Sequence, residues 1–493
     1  MTLMSQLGML ESAGLIRVAQ VEPDVQYLFR HALVQDAAYA SLLDTDQRRL
    51  HRAVGHAVET LYPDRLDEYA PMLARHFREA GEYQHAVTYF SRAGITALAA
   101  YANEEAESHF RNALELERDS APPGRAVLLA GLGEALFRQS RYDEAIAAWD
   151  EAIERHCATG DLAGVARLYA RSARAMWHTG DYAAGLDICV EGLAAVEGAP
   201  ESAELAALLH ETGRAYYFNR QPEEARPLCE RALELAARLG AVPVQADTLA
   251  TLGVLPDTPP DEAVANLRRA VELADTATGD GRSRETSMRS HHKLSILLAT
   301  QGNTGLLEIS VRSHHNLGIT LKGTGGDLDA ATRHLLRAAE LARQRGAASE
   351  EIYSLSVAIG LILDRGDMGQ VEHLMRRMEA LASGIPETGA TAGILPSIQA
   401  TLLQWRGQWA EALRLRRQVY AAVHRQGDYQ GMAESTTELA WSLVEMERLG
   451  EFDGEEAAAA ALDEAAAFLQ SIVDSGEGKH VIVFWAHCQL AMI

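Results

Sequence analysis

The feature that most constrains the fold is a helical hairpin that recurs about every 40 residues. In the clearest copy, residues 130–153, a first helix places Gly133 and Leu136 on one face. A second helix places Ile146 and Trp149 on another face at helical spacing. A small or β-branched position of the second helix recurs at Ala145, Gly185, Ala225 and Ala263, then at Ala331, Val371 and Ala412. Such a hairpin has two apolar sides and cannot bury both alone, so the copies must stack.

Composition agrees with an array of helices. The chain has 493 residues, which exceeds the roughly 250–300 residues at which a single core stops growing. Hydrophobic residues make up 47% and aromatic residues only 6%, with Ala and Leu prominent. This balance favours close helix–helix packing over sheets. We therefore predict an all-α fold, a right-handed helical-hairpin solenoid.

Residues 1–61 differ from the repeats and predict a separate small segment. A short helix is followed by two alternating runs, 15–21 and 25–29, which predict a β-hairpin turned by Pro23. Helices are predicted from His31 to Leu43 and from Asp46 to Leu61. Helix, two-stranded wing and helix form the second half of a winged helix, so we expect the chain to begin inside a domain.

The repeats occupy residues 62–493, in about ten hairpins. Two regions are irregular, 86–106 and 276–325. The segment 89–110 is expected to let one helix serve two hairpins, and the second region repeats the sequence Arg-Ser-His-His. The chain stops inside a predicted helix at 481–493 without a polar cap, which predicts a truncated array.

These residues resemble two known families. The small residue of the first helix and the Ala and aromatic anchors of the second resemble the tetratricopeptide repeat (TPR), with a period longer than the usual ~34 residues. Residues 27–43 resemble the winged-helix segment of STAND-type signalling ATPases, linked to adenylate cyclases or LuxR-type regulators. The resemblance implies a sensor or partner-binding arm. It also implies that His31 contacts the phosphate of ADP when an ATPase domain is present; a merely structural histidine is the alternative.

Several classes of function are not supported by the sequence. The net charge of −24 disfavours nucleic acid as a partner, and no apolar run reaches the ~20 residues needed to span a membrane. Four widely spaced cysteines and the lack of a signal peptide predict a cytoplasmic protein. The chain has no phosphate loop, HExxH, EF-hand or GxSxG motif, so we expect neither an enzyme nor a cofactor.

Two His-His pairs, His291/His292 and His314/His315, could offer imidazoles to a metal ion. Adjacent helical residues point about 100° apart, so each pair can send only one ring to a shared site. No cysteine or carboxylate set completes the coordination sphere. We therefore predict repeat-surface histidines and no metal site.

Aligned repeats predict a basic and aromatic lining on the first helices. In a TPR array, these helices line the concave groove. The predicted ligand residues are Arg138, Arg167, Arg174, Trp177, His178, His210, Arg214, Tyr217, Phe218, Arg312, His315 and Lys322. Few acids interrupt this set, namely Glu68, Glu134 and Asp247. Arginines bind carboxylates in two-point contacts, and rings supply apolar area at low entropic cost.

The favoured hypothesis is a groove for an acidic peptide or protein surface, including one on the ATPase domain of a parent protein. Ion pairs between these arginines and neighbouring helices are an alternative that the sequence leaves open. Two other functions remain. A compact aromatic pocket around Trp177, Tyr217 and Phe218 would favour a small-molecule sensor that binds a sugar or metabolite. The chain could also be the fragment of an enzyme whose cyclase or ATPase domain lies outside it.

Overall fold

A computed structural model describes residues 3–20, 26–117, 124–279, 311–322, 327–383, 393–426, 429–452 and 455–475. The chain forms two compact units. The first comprises Met1–Ala93 and His109–Asp119, and the second comprises Gly94–Ser108 and Ser120–Ile493. Among the described residues, none of the helices has the length and apolarity that crossing a membrane requires.

The first unit begins with the predicted order of helix, two strands and two helices. These elements are α1 (Leu3–Ser12), β1 (Ile16–Gln20), β2 (Gln26–Phe29), α2 (Ala32–Ala40) and α3 (Asp44–Leu61). The strands are antiparallel, with Ile16 opposite Phe29 and an irregularity between Val18 and Gln20. A 3-10 turn (Pro63–Arg65) and α4 (Ala70–Ala80) follow. The element order is confirmed, whereas the winged-helix interpretation stays a prediction.

Two helices contribute residues to both units. These are α5 (Tyr83–Ala99) and α6 (Asn103–Leu116). The segment 89–110, predicted to let one helix serve two hairpins, is broken by a turn at residues 100–102. Its two ends therefore belong to separate helices.

The second unit continues as antiparallel helical hairpins. Its next helices are α7 (Gly124–Arg138), α8 (Tyr142–Thr159), α9 (Leu162–Thr179), α10 (Tyr182–Ala195), α11 (Ala203–Phe218), α12 (Pro222–Leu239), α13 (Val242–Leu252) and α14 (Pro260–Gly279). After them come helical residues 311–322, here α15. The remaining helices are α16 (Leu328–Arg345), α17 (Ala348–Leu363), α18 (Met368–Ala382), α19 (Ile394–Trp405), α20 (Trp409–Gln426), α21 (Tyr429–Arg448) and α22 (Glu455–Ser475). This is the predicted all-α, TPR-like solenoid.

The predicted repeat positions coincide with the observed packing. Each turn predicted from the sequence separates two helices wherever it is described, for example between α7 and α8 and between α9 and α10. The recurring anchor positions of the second helices are buried; Ala145 and Ala225 have no exposed surface. The predicted final helix at 481–493 lies outside the described residues.

Close approach between the two helices of a hairpin depends on a small residue. A Cβ added to Gly133 would lie 2.3 Å from Nε1 of Trp149. That indole is 1% exposed and donates a hydrogen bond to the carbonyl oxygen of Ala130 at 3.2 Å. Glycines at the same position contact the second helix in the same way at Gly213, Gly253 and Gly318. The glycine therefore sets how closely each pair of helices can pack.

The turn between the helices of a hairpin uses a left-handed residue. Gly180, Gly366 and Gly407 take φ values of 74–86° at this position. Ser140 and Arg220 occupy it in two other hairpins with φ of 61° and 63°. A side chain with a Cβ is sterically unfavourable in this conformation. The turns at Ser140 and Arg220 therefore keep the repeat geometry but carry local backbone strain.

Candidate functional site

The first helices of successive hairpins pack beside one another in a row, and their inner side chains form the candidate site. In the middle of this row are α9, α11 and α13. They carry Arg174, Glu211 and Asp247 respectively, each less than a tenth exposed. Helices α15 and α17 add Arg312 and Tyr353. The row therefore brings charged side chains from several repeats into one buried cluster.

Glu211 is the centre of this cluster. Its Oε2 accepts hydrogen bonds from Nε and Nη2 of Arg174 at 3.1 and 2.5 Å. Its Oε1 accepts from Nε of Arg214 at 2.8 Å, and Nη2 of Arg214 also donates to it. Nη2 of Arg174 reaches a second carboxylate, Asp247 Oδ2, at 3.0 Å. Two predicted groove arginines are thus bound by internal carboxylates.

Burial and charge set the protonation of this cluster. Burial acts to raise the pKa of Glu211, but the guanidinium groups of Arg174 and Arg214 outweigh it and lower the pKa well below its usual value. His210 is 2% exposed, and burial lowers its pKa well below 6.5. Its Nε2 lies 2.8 Å from Oγ1 of Thr251. The cluster therefore contains a carboxylate and a neutral imidazole at neutral pH.

Arg312 adds a third guanidinium next to the other two. It forms an ion pair with Asp247. Burial, followed by the like charges of Arg174 and Arg214, lowers the pKa of Arg312 well below its usual value. Its buried Nε atom has no acceptor among the described residues. Arg312 thus joins Arg174 at the carboxylate of Asp247, and the carboxylates of Glu211 and Glu350 also act on it.

An aromatic cluster adjoins the charges. The ring of Phe218 lies 5.6 Å from Trp177 and 5.1 Å from Tyr217, and Tyr353 of α17 lies 6.2 Å from Trp177. The guanidinium of Arg214 lies over both Trp177 and Phe218, at 5.2 and 5.4 Å from their centroids. Because Arg214 is fixed by Glu211, it holds these rings in place through cation–π contacts.

The indole of Trp177 carries a buried donor without a partner. Its Nε1 atom is shielded from solvent and has no acceptor within the part of the chain that the structure describes. The side chain as a whole is only partly buried. An indole N–H that is buried in a protein usually has a hydrogen-bond partner. Among the described residues, Trp177 therefore has an indole N–H without an acceptor on a side chain that is partly exposed.

Other predicted groove residues lie in different surroundings. Nε of Arg138 donates to Oε1 of Glu134 at 2.8 Å, and Nη1 donates to the carbonyl oxygen of Leu98 at 2.7 Å. His178 stacks on Tyr142 with centroids 5.0 Å apart. Internal ion pairs, the alternative that the sequence left open, therefore hold for Arg138, as they do for Arg174 and Arg214.

The remaining predicted binding residues are Arg167 and Lys322 of the groove and, separately, His31 of the first unit. Arg167, near the start of α9, has no acceptor for Nε among the described residues, and burial lowers its pKa. Lys322 is exposed at the end of α15. His31 is exposed at the N-cap of α2 and makes no capping hydrogen bond with its side chain. Ligand binding by these residues stays a prediction.

The histidine pairs make contacts within the fold. Nδ1 of His314 lies 2.7 Å from Nδ1 of His334, and Nδ1 of His315 lies 3.1 Å from Oγ of Ser354. His291 and His292 lie outside the described residues. Across the ranges that the structure describes, no group of three or more His, Cys, Asp or Glu side chains is arranged to hold a metal ion.

Two residues of the site were missed by the sequence reasoning. Glu211 lies beside His210 and Arg214, both of which were assigned to the groove, and was not counted among the interrupting acids. An acid three residues before an arginine is an available signal for an ion pair within a helix. Tyr353 carried no signal, because its place beside Trp177 depends on the stacking of the hairpins between them.

No protein-family model and no curated protein matches this chain. Similar solved structures include a Rap protein complexed with competence and sporulation factor, which is 12% identical in sequence. The match covers 79% of this chain and 99% of the Rap chain, with a TM-score of 0.50. Another is aspartyl phosphate phosphatase F from Bacillus subtilis, which is 10% identical. The match covers 78% of this chain and 94% of the phosphatase chain, with a TM-score of 0.44. A third is a STAND protein with a tetratricopeptide repeat sensor from Pyrococcus horikoshii, which is 12% identical. The match covers 85% of this chain and 58% of the STAND protein, with a TM-score of 0.44. At 12% identity, the likeness to the Rap protein supports the fold alone, a TPR-like helical solenoid.

Proposed function

We propose that the repeat region is a non-catalytic arm that binds a peptide or protein segment on the row of first helices. The observation that carries this proposal is the Nε1–H donor of Trp177. It is held between Phe218, Tyr353 and Arg214 but has no acceptor among the described residues. A backbone carbonyl or a carboxylate of a bound segment would accept this hydrogen bond. The surrounding rings would supply apolar contact from side chains that are already fixed.

The charge of the cluster favours an acidic segment. Burial, and after it the like charges of Arg174 and Arg214, lower the pKa of Arg312. A negative charge of a bound segment would offset the repulsion between these guanidinium groups. Arg174 and Arg214 are bound by Glu211. The proposed acidic contacts are Arg312, which pairs with Asp247 but whose Nε lacks an acceptor among the described residues, and the exposed Lys322 at the end of the same helix.

Binding of the full chain to a peptide array would test this proposal. Each acidic peptide is paired with a copy in which Asn and Gln replace Asp and Glu. We expect acidic members to bind better, and Trp177→Phe to weaken them about tenfold, because it removes one hydrogen bond of about 1–1.5 kcal/mol and keeps a ring. Trp405→Phe, at an exposed tryptophan of α19, is the matched control and should leave binding unchanged.

Equal loss of binding in both tryptophan variants, or no loss in either, would contradict the role of the Trp177 donor. Lys322→Glu separates the charge from the rings. It should weaken the acidic peptides and leave their neutral copies unchanged. If the acidic and neutral peptides bind equally well to the wild-type chain, the preference for an acidic partner is wrong.

A small-molecule sensor is the second candidate. The rings of Trp177, Tyr217 and Phe218 form a compact cluster, with the centroid of Phe218 within 5.1–5.6 Å of the other two. Flat aromatic surfaces with one indole donor suit a sugar or a planar metabolite. A thermal-shift screen of such compounds distinguishes the two functions. A compound that stabilises wild type but not Trp177→Phe would favour this candidate.

The resemblance of residues 27–43 to STAND-type ATPases suggests how an arm of this kind would signal. Partner binding would shift an ATPase domain from a closed, ADP-bound state to an open state. This shift requires different affinities of the partner for the two states. The experiment is to sequence the gene upstream of Met1. A GxxxxGK[ST] motif in the same reading frame would support this assignment, and its absence would overturn it.

A further inference from the structure

Helix α3 of the first unit, together with its N-cap residue Leu43, carries an apolar stripe that the described chain leaves partly exposed. The exposed fractions are 71% for Leu43, 45% for Leu50, 41% for Val54 and 69% for Leu61. At 100° per residue, these four positions lie within an arc of about 40° on the helix surface. Gly55, the buried residue of α3, lies about 100° round from Val54 and faces α4. The stripe is therefore a second face of α3, distinct from the one that packs in the fold.

Solvent exposure of such a stripe is energetically unfavourable. Burial of the exposed part of each leucine removes apolar surface from water, which is favourable. A row of apolar residues with seven- and four-residue spacing is the pattern by which one helix packs along another. The stripe runs from residue 43 to residue 61, a rise of roughly 27 Å along the helix. It is therefore long enough to pair with a helix of similar length.

The spacing of the stripe is compatible with pairing to a second copy of itself. The intervals from Leu43 to Leu50, Val54 and Leu61 are seven, four and seven residues, so the stripe reads the same in both directions. If two copies of α3 pack antiparallel, a two-fold axis passes near residue 52. Leu43 then faces Leu61 of the second copy, and Leu50 faces its Val54. A two-fold interface requires a self-complementary surface of this kind.

We propose that α3 pairs antiparallel with α3 of a second copy of this chain to form a homodimer. Small residues support close approach, since Ala57 lies beside the stripe and is itself exposed. The four large side chains supply roughly half of the ~800 Å² that each partner contributes to an interface of standard size. The dimer is therefore expected to be reversible and dependent on concentration.

Sedimentation equilibrium of the full chain over about 1–200 µM would test the proposal. The apparent mass should rise from 53.6 kDa towards twice that value. Leu50→Glu and Val54→Lys should each hold the mass at 53.6 kDa, because each places a charge in the apolar contact. An equimolar mixture should dimerise again, since the introduced carboxylate of one chain faces the introduced ammonium group of the other.

Two further variants keep the test decisive. Leu239→Glu changes a leucine of similar exposure, 44%, in α12 and should dimerise like wild type. Leu61→Ser, at the exposed end of the stripe, should weaken the dimer even if Leu50→Glu fails to fold; far-UV circular dichroism checks the fold of each variant. A wild-type mass of 53.6 kDa at every concentration would overturn the proposal. An unaltered dimer in Leu50→Glu, or a monomeric mixture, would also overturn it.

Discussion

Replacing Gly133 by alanine tests the packing principle on which the array depends. The added Cβ would lie 2.3 Å from Nε1 and 2.5 Å from Cδ1 of Trp149. Real Cβ atoms do not approach other atoms so closely, so the indole or the helix must move. Trp149 is 1% exposed and bound through Nε1 to the carbonyl oxygen of Ala130. Movement of the ring would break this hydrogen bond.

The size of the effect follows from three contributions. Overpacking in a core costs about 1–3 kcal/mol. Loss of the indole hydrogen bond adds about 1 kcal/mol. The higher helix propensity of alanine relative to glycine stabilises the helix by about 1 kcal/mol. Gly133→Ala is therefore expected to lower the free energy of unfolding of this hairpin by about 1–3 kcal/mol.

Gly360→Ala is the matched control. Gly360 also lies within a first helix, α17, but an added Cβ would meet no atom within 4 Å. This variant should gain stability by up to about 1 kcal/mol. The two substitutions are chemically identical, so an opposite sign isolates the contact with Trp149. Urea unfolding followed by circular dichroism gives the overall order of stability.

Hydrogen–deuterium exchange gives the local effect, because repeat arrays do not unfold as a single two-state unit. Protection should fall in α7 and α8 of Gly133→Ala and remain unchanged in α17. In a Trp149→Ala background, the cost of Gly133→Ala should vanish because its steric partner is gone. A cost that persists in that background, or equal effects of the two glycine variants, would refute the packing argument.

Three further predictions concern the turns and the buried charges. Arg220→Gly should raise the unfolding free energy by up to about 1 kcal/mol in urea titrations, since it relieves a left-handed residue. Acidification should destabilise the fold. Burial lowers the pKa of His210, so this side chain stays neutral in the folded chain but binds a proton in the unfolded chain below pH 6.5. The free energy of unfolding should therefore fall by about 1.4 kcal/mol per pH unit below that pH. Glu211, with its pKa also lowered, adds a further loss below pH 4.5, and thermal unfolding from pH 8 to 4 would measure both. Glu211→Gln should cost about 3–5 kcal/mol at pH 7, because two buried guanidinium groups lose their shared carboxylate; a loss below 1 kcal/mol in urea would contradict this.

The repeat and its turns were predictable because their causes are local. Apolar residues at helical spacing mark the inner faces, and small residues such as Gly133 mark where two backbones meet. Breaks in the pattern mark the turns, which the structure confirms between α7 and α8 and between the later pairs. Even the two strands of the first unit followed from short alternating runs.

The basic lining was only partly predictable. The sequence placed Arg174 and Arg214 on the first helices, and the structure shows both bound to Glu211. The pairing of Glu211 with Arg214 could have been read from their spacing of three residues, but the partners of Arg174 were not evident. Arg174 lies on α9, whereas Glu211 lies on α11 of the next hairpin and Asp247 on α13 of the one after it. A carboxylate that serves arginines of two helices cannot be recognised by inspecting either helix alone.

The sequence by itself therefore determined the all-α class, the hairpin length, the turns and the buried anchors, because each depends on contacts within a hairpin or between neighbours. Only the tertiary structure decided which charges are already paired and which groups remain available. Tyr353 lies beside Trp177 although several hairpins separate them along the chain. The same holds for the apolar stripe on α3. Its spacing is visible in the sequence, but only the packing of α3 against α4 shows that this face of the helix remains partly exposed.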